Sequence, residues 1–197
     1  SEHKVMTNGS QGLTYSISTL AEKAAAKGFR TAFYSGGPPI LAKARLHQGF
    51  EVFDDNFLGE NRFYRPVREN LQLALNTLLQ APKESAFLSI FLADLQFSFV
   101  GTFSDDGKER EKSVMAQKRE VGESLKWFFG RLKKEKLWDD AYVVVLGLNG
   151  DASASRKDVL WHENLYSENV HVPLFIKMPK SITLDSPSFD ALMSTKD

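Results

Sequence analysis

Apolar positions change their spacing along this chain, and the changes separate helices from strands. The first seventeen residues are polar, contain glycine and read as loop. Thr19-Leu-Ala-Glu22 has the spacing of a capping box, in which the Thr hydroxyl accepts from the Glu22 amide and the Glu carboxylate reaches back to Thr19. It opens an Ala-rich helix over residues 20–27, with Gly28 as its stop. Residues 29–34 then read as a short buried strand, broken by Ser35-Gly-Gly-Pro-Pro39. Leucines at 71, 73, 75, 78 and 79 give an apolar face to a helix over 66–80, which Pro82 ends.

Residues 86–93 form a continuous apolar run of strand length, suited to a sheet covered on both faces. Residues 101–112 read as a polar surface loop. The longest helical pattern follows over 113–136, with Val121, Leu125, Phe128, Phe129 and Leu132 on one stripe. Residues 141–146 and 172–177 read as the last two strands. Helices alternating with apolar strands predict an α/β fold, a mostly parallel sheet flanked by helices on both faces. Ligands in such folds bind just beyond the carboxyl ends of the strands. That rule singles out Ser35-Gly36-Gly37, residues 94–97, residues 147–151 and the stretch before Val172.

Composition narrows the function classes. The chain of 197 residues suits one α/β domain, is 42% hydrophobic and carries 25 basic against 25 acidic side chains. A balanced charge gives no overall field to attract nucleic acid or an anionic membrane. The run Lys108-Glu109-Arg110-Glu111-Lys112 mixes both signs and reads as a solvated helix start. With no cysteine, disulfides, thiolate metal sites and Cys nucleophiles are excluded from these residues. No apolar stretch reaches the roughly 18 to 20 residues that cross a bilayer. There is no Gly-rich phosphate loop, no Gly-x-Ser-x-Gly elbow and no His-Glu-x-x-His.

The order of local patterns carries more. Residues 19–33 (Thr-Leu-Ala-Glu to Gly-Phe-Arg-Thr-Ala-Phe) resemble the sulfatase segment in which a "TLAE" helix leads into "GYRTA". Gln48-Gly-Phe-Glu-Val-Phe-Asp-Asp55 resembles the "GFD…YDD" stretch that follows it. Leu137-Trp-Asp-Asp-Ala-Tyr-Val-Val-Val145 resembles "LYDNTLVVV", and residues 165–176 resemble "LYEE…RVPLII". The four occur in the family's order over about residues 10–190. The chain thus resembles a sulfatase-like member of the alkaline phosphatase superfamily.

That resemblance implies a divalent cation, calcium or magnesium, on hard oxygen ligands, beside a formylglycine nucleophile in a "C/S-x-P-x-R" motif. In the family, the nucleophile and the first metal carboxylates lie upstream of the "TLAE" helix. The chain is therefore expected to be a fragment of a single sulfatase-like domain, 1–197, without the nucleophile segment and the C-terminal subdomain. The matching positions also depart from the pattern. Where the family has an Asp, then Asn or His, then Gly as metal ligands, this chain has Leu148, Asn149 and Gly150. Leucine has no electron pair to give, while Asn149 can ligate through its carbonyl and Asp151 can shift in from an outer position. Where a strand ends in "D-P-H" with a sulfate-facing His, Asp94-Leu95-Gln96 stands. Gln96 can hydrogen-bond an oxyanion but cannot relay a proton. His162 replaces the Lys that binds sulfate before "LYEE", and is cationic only when protonated.

Gln96 and His162 are therefore the remnant catalytic and anion-binding positions, and Asn149 and Asp151 the remaining metal candidates. Each also has a plainer reading. Asn149-Gly150 is a strong turn dipeptide, and His162 beside Trp161 suits a surface or packed histidine. His171 sits where the family has Arg. Asp54 and Asp55 read as loop-capping carboxylates, and residues 127–129 as a buried helix face. The expected function is a sulfatase-like pseudoenzyme or binding domain for a sulfated or anionic small molecule or glycan. The alternatives are an active metal-dependent sulfate or phosphate ester hydrolase, and an unrelated α/β protein-interaction domain. By family analogy alone the compartment is extracytoplasmic.

Overall fold

The computed structural model describes residues 12–57, 63–96, 107–148, 150 and 171–183, with only the backbone given for 107–113. The chain divides into two compact units, Ser1–Leu132 and Lys133–Asp197.

In the first unit, helix α1 (Leu20–Ala25) begins on the capping box that the sequence encodes. Glu22 N–H donates to Thr19 Oγ1 at 3.0 Å, and Thr19 N–H donates to Glu22 Oε2 at 2.7 Å. The Thr19 hydroxyl also donates to Gln48 O, which ties the helix start to the loop before the second strand. Gly28 adopts φ +79°, the left-handed conformation that ends a helix and that glycine takes without a Cβ clash. Strand β1 (Arg30–Ser35) follows, one residue later than the apolar run, because Phe29 is exposed and lies outside the ladder.

Strand β1 is central. Strand β2 (Val52–Asp54) pairs with it in parallel, Phe33 opposite Phe53, and strand β3 (Ala86–Phe91) pairs on its other side, Ala32 opposite Leu88. The order β2-β1-β3 gives the expected parallel sheet with flanking helices. Helix α2 (Val67–Gln80) packs against β1 and β3. Its buried residues Val67, Asn70, Leu71, Ala74 and Leu75 recur at the i, i+3, i+4 spacing of one helical face. Tyr34 points to that side and hydrogen-bonds Thr77. The alternate residue Phe33 points away from it. Phe33 stacks on Phe53 with ring centroids 4.9 Å apart and meets Phe50 edge-on at 5.4 Å, while Phe50 stacks on Phe87.

Helix α3 (Gly107–Lys134) begins six residues before its apolar pattern, at the mixed-charge run that reads as a helix start, so the last part of the stretch expected to be loop is helical. Its first residues are Lys, Glu and Arg, which lose little rotamer freedom in a helix, so the mixed-charge run continues the helix. The predicted stripe faces inward, with Phe128 and Leu132 buried and Val121, Leu125 and Phe129 half-buried, and Ser124 is buried beside it. The Arg68 guanidinium of α2 lies 3.5 Å over the Trp127 ring.

In the second unit, strands β4 (Val143–Leu146) and β5 (Leu174–Lys177) form an antiparallel ribbon, Val143 opposite Lys177. Periodicity alone does not set strand direction, and this pair runs opposite to the parallel ladder of the first unit. Lys177 Nζ donates to the carbonyls of Trp138 and Ala141, holding the turn that leads into β4. Among the described residues, no helix is long and apolar enough to cross a membrane.

Candidate functional site at the carboxyl edge of the parallel sheet

Three parallel strands end on one edge of the first unit. After β1 the chain turns to β2 on one side and then crosses to β3 on the other, so the connections change direction between β1 and β3. The carboxyl ends at such a point open the crevice that most often binds ligands in doubly wound sheets.

Here the chain's own side chains fill that crevice. A Cβ on Gly36 would stand 2.5 Å from Phe91 O and 2.9 Å from Asn70 Nδ2, so only glycine fits where β1 leaves the sheet. Asn70, fully buried on α2, donates Nδ2 to Phe91 O at 3.0 Å and accepts from Arg65 at 2.9 Å. Arg65 is buried too. Its guanidinium reaches Asp54 Oδ1 at 2.7 Å and Asn56 O at 2.6 Å, and its amide donates to Gly36 O. One arginine thus joins the ends of β1 and β2 to the first turn of α2. Ser35 is closed off as well, its hydroxyl donating to Ile40 O and Gly37 O.

The end of β3 differs. Asp94 is 5% exposed, and its Oδ1 accepts from Val67 N–H at 2.9 Å, which caps α2. Its Oδ2 is buried with no hydrogen-bond partner. Burial lifts this carboxyl above the usual aspartate range, against the backbone bonds from Val67 and from its own amide, and the Glu120 charge lifts it further. Burial also raises the Tyr64 phenol, and the charges of Asp94 and Glu120 add to that rise. The charges of Asp94 and Glu120 thus act on Tyr64, and that of Glu120 on Asp94, so three segments contribute to the electrostatics of this edge. The sequence marked Asp94 only as the first letter of a degenerate triplet, and nothing in its spacing signalled Tyr64 or Glu120.

Of the sequence-derived site residues, Gln96 lies on this edge. It is exposed, in a turn closed by its amide donating to Ala93 O at 3.0 Å. Asp54 and Asp55 act as loop carboxylates, as expected: Asp54 accepts from Asn56 N–H and Asp55 from Ala42 N–H. In the second unit, Gly147 N–H donates to Pro173 O, and a Cβ there would meet the Pro173 ring at 2.8 Å, so β4 leaves the ribbon through a glycine. Leu148 follows, 69% exposed. Asn149, Asp151 and His162 lie outside the described residues. His171 is exposed and precedes β5. Among the described residues, no three His, Cys, Asp or Glu side chains converge as a metal site.

Sheet order and edge define an α/β domain of the class that places ligands beyond its strand ends. No family model matches the chain. No curated protein sequence matches it either. Solved structures do. Lipoteichoic acid synthase LtaP from Listeria monocytogenes superposes with a TM-score of 0.63 at 15% identity, over 85% of this chain and 47% of that one. A protein in the alkaline phosphatase superfamily from Vibrio parahaemolyticus superposes with a TM-score of 0.56 at 17% identity, over 88% of this chain and 43% of that one. The chain has the alkaline phosphatase/sulfatase-like α/β fold. It spans less than half the length of either structure.

Proposed function

We propose that the chain is part of a sulfatase-like domain that keeps the scaffold, has lost turnover, and acts as a pseudoenzyme or binding domain for a sulfated or otherwise anionic small molecule or glycan. The observation that carries this reading is Leu148 at the end of β4. The resemblance assigns that position to a carboxylate holding the divalent cation, and a hydrocarbon side chain supplies no oxygen to a hard ion. The described residues thus do not fit the implied calcium or magnesium, and no step is drawn through it. The plugged crevice between β1 and β3 supports the same reading, because Asn70 and Arg65 are spent on backbone and side-chain partners. Gln96 remains exposed at the edge and can donate its amide to an oxyanion.

A second reading has one observation in its favour. Because the chain spans less than half of its structural neighbours, a nucleophile can come from elsewhere in a longer protein, with a metal site remodelled around Asn149 and Asp151. Metal analysis and calcium or magnesium titration on the intact protein separate the two, run beside turnover of aryl sulfate, aryl phosphate and lipoteichoic acid. The last is included because one neighbour is a lipoteichoic acid synthase. Binding of a sulfated glycan without metal and without turnover is the expected result. Stoichiometric metal with turnover would establish the hydrolase.

A further inference from the structure

The end of β3 has work that neither reading uses. Asp94 is the contact through which the β3 terminus holds the start of α2: its Oδ1 takes the Val67 amide, one of the donors that a helix start leaves unpaired. The same residue sits inside the 93–96 turn that presents Gln96. Its second oxygen is sealed from water and bonded to nothing. Burial penalises a charge on this carboxyl by more than the backbone bonds from Val67 and from its own amide favour it, so the proton is held more firmly than on a free aspartate. Among the described residues, the ionisable groups coupled to it are Tyr64, from the loop before α2, and Glu120, from α3. Neither is a cation, and Glu120 opposes a second negative charge. The neighbouring Arg65 is committed to Asp54, Asn56 and Asn70.

We propose that Asp94 is a proton-operated latch: with its carboxyl protonated the first turn of α2 stays seated on the end of β3, and loss of the proton loosens that joint together with the turn carrying Gln96. Loosening is the physical outlet because opening admits water to Oδ2, whereas the closed joint offers it no partner. The direction follows from burial. A carboxyl raised in the folded state contributes stability below its unfolded pKa of about 3.9, and loses that contribution as pH rises through the folded value. The latch is closed on the acidic side and opens toward neutrality. It requires no particular ligand, so it stands or falls apart from the proposed function.

Hydrogen exchange of the amides at 67–71 in the intact protein, normalised for intrinsic rates between about pH 4 and about pH 8, tests it. The wild type is expected to lose protection there as pH rises. Asp94→Asn keeps the acceptor for Val67 and cannot ionise, so its protection should stay level and match the acidic wild type. Asp94→Ala removes the cap and should lower protection at every pH. Glu120→Gln is the variant least able to disturb folding. It removes the opposing charge, so the fall with pH should shrink and move to lower pH. A wild type whose protection is flat across the range would overturn the latch. So would Asn and Ala variants that lose protection equally at all pH values.

Discussion

Strands β1 and β4 are both short, yet their surroundings are opposite. Strand β1 has a parallel neighbour on each side and α2 against one face, and Thr31, Ala32, Tyr34 and Ser35 are buried within it. Among the described residues strand β4 has one antiparallel neighbour, and Val144, Leu146, Leu174, Phe175 and Ile176 of the ribbon stand exposed. Apolar letters specify a strand, but the number of neighbours decides whether it becomes core. The two regions also handle polar groups differently. The first buries an arginine, an asparagine and an aspartate and assigns partners to nearly all their atoms. The second keeps its charges at the rim, where Lys177 and Lys180 clasp the turn around Asp139.

The sharpest way to break the contrast is at Arg65. Arg65→Met leaves Asp54 Oδ1, Asn56 O and Asn70 Oδ1 without their shared donor in a buried setting. Removing one partner of such a pair typically costs about 3–5 kcal/mol. Denaturant unfolding of the intact protein should show a loss of that order. A loss below about 1 kcal/mol would mean that water replaces the guanidinium easily, as at an exposed ion pair, and that the edge is not a sealed joint. Next in size is Leu75→Ala, a fully buried truncation on α2, expected to cost about 2–5 kcal/mol. A cost near zero would show that α2 does not seal the sheet face.

Much of this fold is legible in the residue order. The capping box at Thr19 and Glu22, the α2 face and the stop at Gly28 are local, and local chemistry fixes them. The start of α3 was legible in the mixed-charge run, which reads as a solvated helix start of good helix formers, and not in the apolar stripe, which begins only after 113. The antiparallel direction of β4 and β5 was not legible, since both directions accept the same apolar run. The site was legible only in part. Gln96 could be placed on its edge from the strand-end rule, whereas the coupling of Tyr64, Asp94 and Glu120 joins segments up to 56 residues apart and leaves no spacing to read. Burial turned Asp94 from a motif letter into a helix cap with an orphan oxygen, and burial is a tertiary property.

Smaller effects sharpen the comparison further. Thr19→Ala removes the hydroxyl that accepts from Glu22 N–H and donates to Gln48 O. Loss of a helix cap of this kind costs about 1 kcal/mol, read as a lower unfolding midpoint with an unchanged denaturant slope. A silent variant would mean that α1 is held by the packing of Ala21 rather than by its cap.

The smallest effect belongs to the ribbon. Phe175 is 66% exposed on β5, so little apolar area returns to water when it is shortened. Phe175→Thr replaces an aromatic side chain with a β-branched one, both of which suit a strand, and the expected change in stability is within about 0.5 kcal/mol, as for other exposed positions. Solubility should rise instead, because exposed apolar side chains on a ribbon invite association between molecules. The informative failure is a large loss in the intact protein. It would mean that this face is covered in the working form, so that the exposed ribbon is one side of a contact and the difference between β1 and β4 lies in what covers them rather than in their sequence.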